Sequence, residues 1–253
     1  MKITCIGLDS KLYEVKQNLA HAKNIILSSP KSDVFVLPEL FTTGFYPKDI
    51  ASHVKTHEGI EEIFSNLAKE KNAHIIAGSI PFSRGGNLYN TSLIFDKNGS
   101  LIAKYDKTHL FTNMNEDKYF TRGDKICTFR LENVRCGIMI CYDLRFPELA
   151  SLLGEIDILF IVSAWPKERL SQLKILAQAR AIETQSYVCL CNSSSQIRDV
   201  KFAGNSMIIN PLGEILARGG ESEHVINYKL DLSILPNIKK AINVKKDRRR
   251  DLY

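Results

Sequence analysis

The stretch Gly137-Ile138-Met139-Ile140-Cys141-Tyr142-Asp143-Leu144-Arg145-Phe146-Pro147-Glu148 decides how this chain folds. It starts inside an apolar run of β character, 134–140, and stops abruptly on a cysteine. A helical pattern over 146–153 comes next. Two other apolar runs end the same way. The run 34–37 delivers Glu39 in Val36-Leu37-Pro38-Glu39-Leu40, and the run 101–105 delivers Lys107 in Lys104-Tyr105-Asp106-Lys107-Thr108-His109-Leu110-Phe111. Ligand sites of layered α/β folds gather beyond the carboxyl ends of strands. A thiol, a carboxylate and an ammonium brought together there suit acyl transfer: the thiol attacks a carbonyl carbon, the carboxylate moves protons and the ammonium stabilises the oxyanion. Taken one at a time, none of the three decides. A lone cysteine at a strand end is most often a core residue, a lysine after a strand is most often on the surface, and a glutamate after proline often serves a helix dipole.

Working outward, β-like runs alternate with helical patterns. Residues 2–8 predict a strand and 14–28 a helix with Val15, Leu19, Ala22 and Ile26 on one face. A helix at 59–71, a strand at 73–80, and a hairpin of 88–96 and 101–105 about Asn98-Gly99 complete the first half. The second half repeats the theme: strands at 134–140, 156–163 and 186–192, with helices at 146–153 and 168–184 between them. The runs 203–210 and 214–217 flank the turn Asn210-Pro211-Leu212-Gly213, and a last strand is expected at 224–231. This order predicts an α/β layered architecture with a mixed sheet in each half. No Pro-, Gly- or Ser-rich linker divides the halves, so one domain spanning 1–253 is expected.

The chain has 253 residues, with 44% apolar, 25% charged and 9% aromatic residues, which excludes a mainly disordered or low-complexity protein. No apolar run is long enough to span a bilayer. The early Asp9 speaks against a signal peptide. Six cysteines without a C-x-x-C pair suggest free thiols and a cytoplasmic setting. Most of the net charge of +6 lies in the basic arm at about 236–253, which holds seven basic and two acidic residues from Lys239 onward. With no nucleic-acid recognition motif beside it, the arm is expected to pack on its own protein or a sister subunit. Phosphate-loop, G-x-S-x-G, G-x-G-x-x-G and H-E-x-x-H motifs are absent. His53 and His57 are expected to be a solvated pair rather than metal ligands, and Cys189 and Cys191 small core residues.

The settings of Glu39, Lys107 and Cys141, in this order along the chain, resemble the three motif regions of the nitrilase superfamily of carbon–nitrogen hydrolases. The resemblance runs from residue 1 to about 231. It implies a four-layer αββα sandwich, a Glu–Lys–Cys catalytic set, and neither a metal nor an organic cofactor. Glu116, in Asn115-Glu116-Asp117, matches the second glutamate of many members. The chain looks most like the bacterial ω-amidase branch, through Ala164-Trp165-Pro166, Ala179-Arg180-Ala181-Ile182-Glu183, Asn210-Pro211-Leu212-Gly213-Glu214 and the ending Arg249-Arg250-Asp251-Leu252-Tyr253. This likeness implies an amidase for the terminal amide of a small dicarboxylic acid monoamide, working as a homodimer. Its substrate is a small-molecule amide, with no nucleic acid or membrane partner. The Tyr142 N–H is expected in the oxyanion site and Arg145 on the substrate carboxylate. Phe41, Tyr46 and Trp165 are expected in the pocket wall. Open alternatives are a deaminated-glutathione-type amidase, a carbamoyl-amine hydrolase, a nitrilase, or a binding protein on the same fold. The polar stretch 193–200 fits no branch pattern and is expected near the site mouth.

Overall fold

The computed structural model describes residues 1–253 except Glu58, Arg250 and Tyr253, with only the backbone described at Lys55, Thr56 and His57. The His53–His57 pair and the end of the basic arm therefore lie partly outside the described residues. The first sheet is built from β1 (Lys2–Gly7), β2 (Val34–Val36), β3 (His74–Ile76), β4 (Ile80–Arg84), β5 (Asn87–Phe95) and β6 (Leu101–Asp106). The second uses β7 (Thr128–Leu131), β8 (Val134–Ile140), β9 (Ile158–Ser163) and β10 (Tyr187–Asn192). After the small hairpin β11 (Gln196–Ile197) and β12 (Val200–Lys201), strands β13 (Met207–Ile209) and β14 (Ile215–Arg218) finish the second sheet. The last strand, β15 (His224–Lys229), returns to pair antiparallel with β1.

Each sheet has three parallel strands at its centre, β1-β2-β3 and β8-β9-β10, flanked by antiparallel ones. Parallel neighbours need crossover helices. In the first half these are α1 (Val15–Ser28) and α2 (Ile60–Lys71); in the second, α3 (Pro147–Leu152) and α4 (Leu170–Thr184). Side-chain alternation then sorts the layers. On β2 and just after it, Phe35 and Leu37 join Ala22, Ile26, Phe64 and Leu67 of the helices, whereas Val34 and Val36 face the other sheet. The Cys191 thiol reaches the first sheet, donating to the carbonyls of Ile6 and Val36 at 3.3 Å. The two sheets thus pack face to face with helices outside, the αββα sandwich. Cys5, Cys136, Cys189 and Cys191 are buried core residues, as expected.

The structure departs from the sequence expectations in four places. The strand expected at 73–80 is broken into β3 and β4. Gly78 has φ +53°, and a Cβ there would lie 2.0 Å from the Pro38 carbonyl oxygen, so the break lets this backbone cradle the Glu39 loop. Strand β7 has no counterpart among the expected elements, because a strand of four residues with alternating exposure carries little apolar signal. The 203–210 run narrows to β13, and its neighbours are spent on turns. The stretch 193–200, expected near the site mouth, lends no residue to the lining of the cavity described below: Ser194 and Ser195 are buried, and Ile197 packs with Phe45 and Phe202. The basic arm forms α5 (Leu235–Ala241) and packs on its own chain. Lys239 pairs with Asp157 at 2.9 Å, and Lys245 donates to the Gly154 carbonyl at 2.7 Å.

Candidate active site

Glu39, Lys107 and Cys141 arrive from β2, β6 and β8, two strands of one sheet and one of the other, at one end of the sandwich. The sheets are stitched there: the Glu39 N–H donates to the Ser163 carbonyl at 3.4 Å, and the Ala164 N–H donates to Glu39 Oε2 at 3.0 Å. Leu40 has φ +44° and Cys141 φ +46°. For residues with a Cβ this backbone region is strained by about 1–3 kcal/mol and needs support from its surroundings. At Cys141 the support is Asp143. Its buried carboxylate accepts from the Tyr105 hydroxyl at 2.7 Å, the Ile140 N–H at 3.0 Å, the Thr108 hydroxyl at 2.9 Å and the His109 N–H at 3.0 Å. One side chain therefore ties the lysine loop to the cysteine turn. Arg180 adds a second tie, donating through Nη2 to the Leu144 carbonyl at 3.0 Å.

Lys107 is fully buried between two fully buried carboxylates. Its Nζ donates to Glu39 Oε1 at 2.7 Å and to Glu116 Oε1 and Oε2 at 3.0 and 2.8 Å. Asn90 Nδ2 bridges the same carboxylates, at 2.9 Å to Glu39 and 3.0 Å to Glu116. The Phe111 N–H holds Glu116 Oε2 at 2.7 Å. Burial alone opposes an ammonium here, but the charges of Glu116 and Glu39 prevail and hold the lysine protonated well above its usual range. Burial raises the Glu39 carboxyl above its ordinary value, Glu116 adds to the rise and Lys107 opposes it. Burial also pushes the Cys141 thiol up, and the Glu39 charge pushes it further against Lys107. The resting pair is therefore a thiol beside a carboxylate with raised proton affinity.

Above Cys141 lies a cavity of about 330 Å³, part of it open to solvent. Lys107 and Cys141 form its buried floor. Phe45, Phe111, Met114, Tyr142, Trp165 and Pro166 form the walls, and the half-buried Arg145 and Arg169 stand toward solvent. Arg145 does not pair with Glu148, the ionic partner its sequence neighbourhood suggests. Its Nη2 donates to Gln172 Oε1 at 2.7 Å and its guanidinium lies 4.8 Å from the Trp165 ring centre. Two expected wall residues belong elsewhere: Phe41 packs edge-on against Phe64 in the helix-side core, and Tyr46 packs against Tyr13 and Arg198. Sequence reasoning missed Asn90, Asp143, Phe45, Phe111 and Arg169. Asp143 and Phe111 stand inside the cysteine and lysine motifs and so offered a signal; Phe45 and Arg169 carried none, because only folding aims them at the cavity.

The sequence profile of carbon–nitrogen hydrolases matches residues 2–240. The chain belongs to the carbon–nitrogen hydrolase family. Among its relatives, the 2-oxoglutaramate amidase of Bacillus subtilis is 37% identical, covering 99% of this chain and 98% of that protein. The omega-amidase NIT2 of Homo sapiens is 34% identical over 86% of this chain and 83% of that one. Saccharomyces cerevisiae Nit3, a member of branch 10 of the nitrilase superfamily, superposes with a TM-score of 0.90 at 29% identity, covering 98% of this chain and 96% of that one.

Proposed function

We propose that the protein is a cysteine-dependent ω-amidase that releases ammonia from the terminal amide of a small dicarboxylic acid monoamide. One observation carries this: a buried ammonium clamped between two carboxylates beside a thiol, at the floor of a small cavity ringed by guanidinium groups. The names of the relatives support the same substrate class.

Glu39 takes the Cys141 proton as the sulfur bonds to the amide carbon. Raised proton affinity suits it to this step, and a buried thiol is better deprotonated during attack than before it. The electron pair of the C=O bond moves to oxygen, where Lys107 and the Tyr142 N–H receive it. Tyr142 stands in the first turn after β8, where backbone N–H groups lack acceptors within the turn. Glu39 then gives the proton to nitrogen, the C–N bond breaks and ammonia leaves. Water, deprotonated by Glu39, adds to the thioester; the C–S bond breaks, the proton returns to sulfur and the acid departs. Glu116 holds Lys107 in place, and Arg145 grips the distal carboxylate in two-pronged fashion.

The test is ammonia release from a panel of carboxylate-bearing and neutral amides. Wild type turns over the monoamides, and Cys141→Ala is folded and inactive; an active Cys141→Ala enzyme overturns the mechanism. The six free thiols support a reducing, cytoplasmic setting. A homodimer is supported by Leu152, Ile182 and Ile242, which are 64%, 53% and 67% exposed around α3, α4 and the arm.

A further inference from the structure

A buried hydroxyl beside the reacting sulfur has no part in the mechanism above. Ser163 ends β9, which runs parallel to β8 with Val162 opposite Ile140. Cys141 and Ser163 therefore leave the two neighbouring strand ends side by side. The Ser163 backbone is held in place: its carbonyl accepts from the Glu39 N–H at 3.4 Å and from the Ser193 N–H at 2.9 Å. Its side chain is fully buried, and among the described residues no nitrogen or oxygen stands in hydrogen-bonding position for its Oγ. A buried hydroxyl in that state costs stability, so packing alone does not account for a serine here. The group this hydroxyl reaches is the Cys141 thiol, where a hydrogen bond from Ser163 favours the thiolate. The thiol in turn bonds to the Glu39 carboxylate. Hydroxyl, thiol and carboxylate form one chain from donor to acceptor.

We propose that Ser163 is a further catalytic residue, whose hydroxyl donates to the Cys141 sulfur while Glu39 removes the thiol proton and again when the thioester C–S bond breaks. The proposal deepens the amidase reading above and rests on it. The Ser163 proton stays on oxygen throughout; what changes is the charge it faces. A neutral thiol is a weak acceptor, and the sulfur becomes a strong one as its proton passes to Glu39. The bond therefore strengthens on the way to the transition state, which is the condition for it to accelerate the reaction. Other donors near the sulfur are already committed. Lys107 is shared between Glu39 and Glu116, and the Ala164 N–H donates to Glu39 Oε2 at 3.0 Å. The Ser163 hydroxyl has no carboxylate competing for it.

The experiment compares wild type with Ser163→Ala, which removes a single oxygen. The kcat should fall roughly tenfold, the scale of one hydrogen bond to a charged group, with KM little changed. The loss should be equal for carboxylate-bearing and neutral amides, because all of them react at the same sulfur. The Tm should hold or rise, since the oxygen removed has no nitrogen or oxygen partner. A second readout needs no substrate: the rate at which iodoacetamide alkylates Cys141 at fixed pH, followed by mass spectrometry with Cys141→Ala as blank. Alkylation follows the thiolate, so it should slow roughly tenfold as well. Ser163→Thr keeps the hydroxyl and should recover both rates in part. If Ser163→Ala folds poorly, Ser163→Gly carries the same test. Unchanged kcat and alkylation in a folded variant overturn the proposal and leave the amidase reading standing. A lower kcat with a lower Tm and unchanged alkylation makes Ser163 structural and also overturns it. A wild type that hydrolyses no amide overturns the amidase reading and the catalytic role together, even if alkylation still slows in Ser163→Ala.

Discussion

At the residue scale, the chemistry depends on where one proton sits among Glu39, Glu116, Lys107 and Cys141. Glu39→Gln and Lys107→Met should each lower the maximal rate by at least about 10²-fold, the scale of a lost general base or oxyanion donor. Normal acyl-enzyme formation with failed release in Glu39→Gln would give the carboxylate the second step only. The pH dependence has a definite sign. Glu39 accepts a proton only when ionised, so activity falls as pH drops through its pKa. Burial and the Glu116 charge both raise that pKa. The acid limb of kcat/KM should therefore lie above the ordinary carboxylate range. Glu116→Gln removes one of the two causes and should move the limb to lower pH; a limb that stays put or rises would show that Glu116 does not act on Glu39 electrostatically. The three side chains proposed to react were legible in the sequence only together: each follows an apolar run, and their shared order resembles the motif regions of the family. Asn90 was not, since an asparagine inside a strand is locally ordinary and becomes a bridge only when both carboxylates close on it.

At the element scale, the site depends on how strand ends are broken. The gap between β3 and β4 looks like a lapse in one long strand, yet its backbone supports Pro38 and Glu39. The Ser79 N–H donates to the Pro38 carbonyl at 3.2 Å, and Ser79 Oγ accepts from the Leu40 N–H at 3.0 Å. Gly78→Ala would force a Cβ to 2.0 Å from the Pro38 oxygen and should displace Glu39, lowering both kcat and thermal stability. Gly86→Ala is the matched control. Gly86 also has a positive φ, +79°, but a Cβ there meets nothing within 4 Å. It should cost about 1–3 kcal/mol of backbone strain at most and leave kcat alone. Equal loss of kcat in both variants would show that strain, not the close approach, matters at Gly78. Helix periodicity and the Asn98-Gly99 turn placed most elements correctly. Short elements such as β7, β11 and β12 escaped because two to four residues cannot establish a period.

At the scale of the whole molecule, two topologically similar halves bring the ends of their strands to one edge, and the candidate active site lies across the seam. The outer face of the second half carries several exposed apolar side chains. Ile182 and Val244 line a groove between α3, α4 and the arm, and are 53% and 42% exposed. If this face joins two copies, Ile182→Glu should convert a dimer to a monomer in sedimentation velocity. A wild type that sediments as one copy at all concentrations would remove the dimer. A dimer untouched by Ile182→Glu would place the interface elsewhere. The basic arm, whose charge suggested partners, spends part of it within its own chain on Asp157 and the Gly154 carbonyl.

The sequence by itself determined the alternation of strands and helices, the two-layered halves, and the thiol, carboxylate and ammonium that follow the strands. These are local properties: hydrophobic period, turn chemistry, and an abrupt change of polarity. Tertiary structure alone decided that Lys107 would be buried between two carboxylates, that Asp143 would fasten two motifs together, and that Arg169 rather than Tyr46 would face the cavity. Those outcomes depend on the distance and dielectric between residues far apart in the chain, such as the 68 positions separating Glu39 from Lys107. No local pattern encodes such a distance; it is set when two sheets pack face to face and water leaves the space between them.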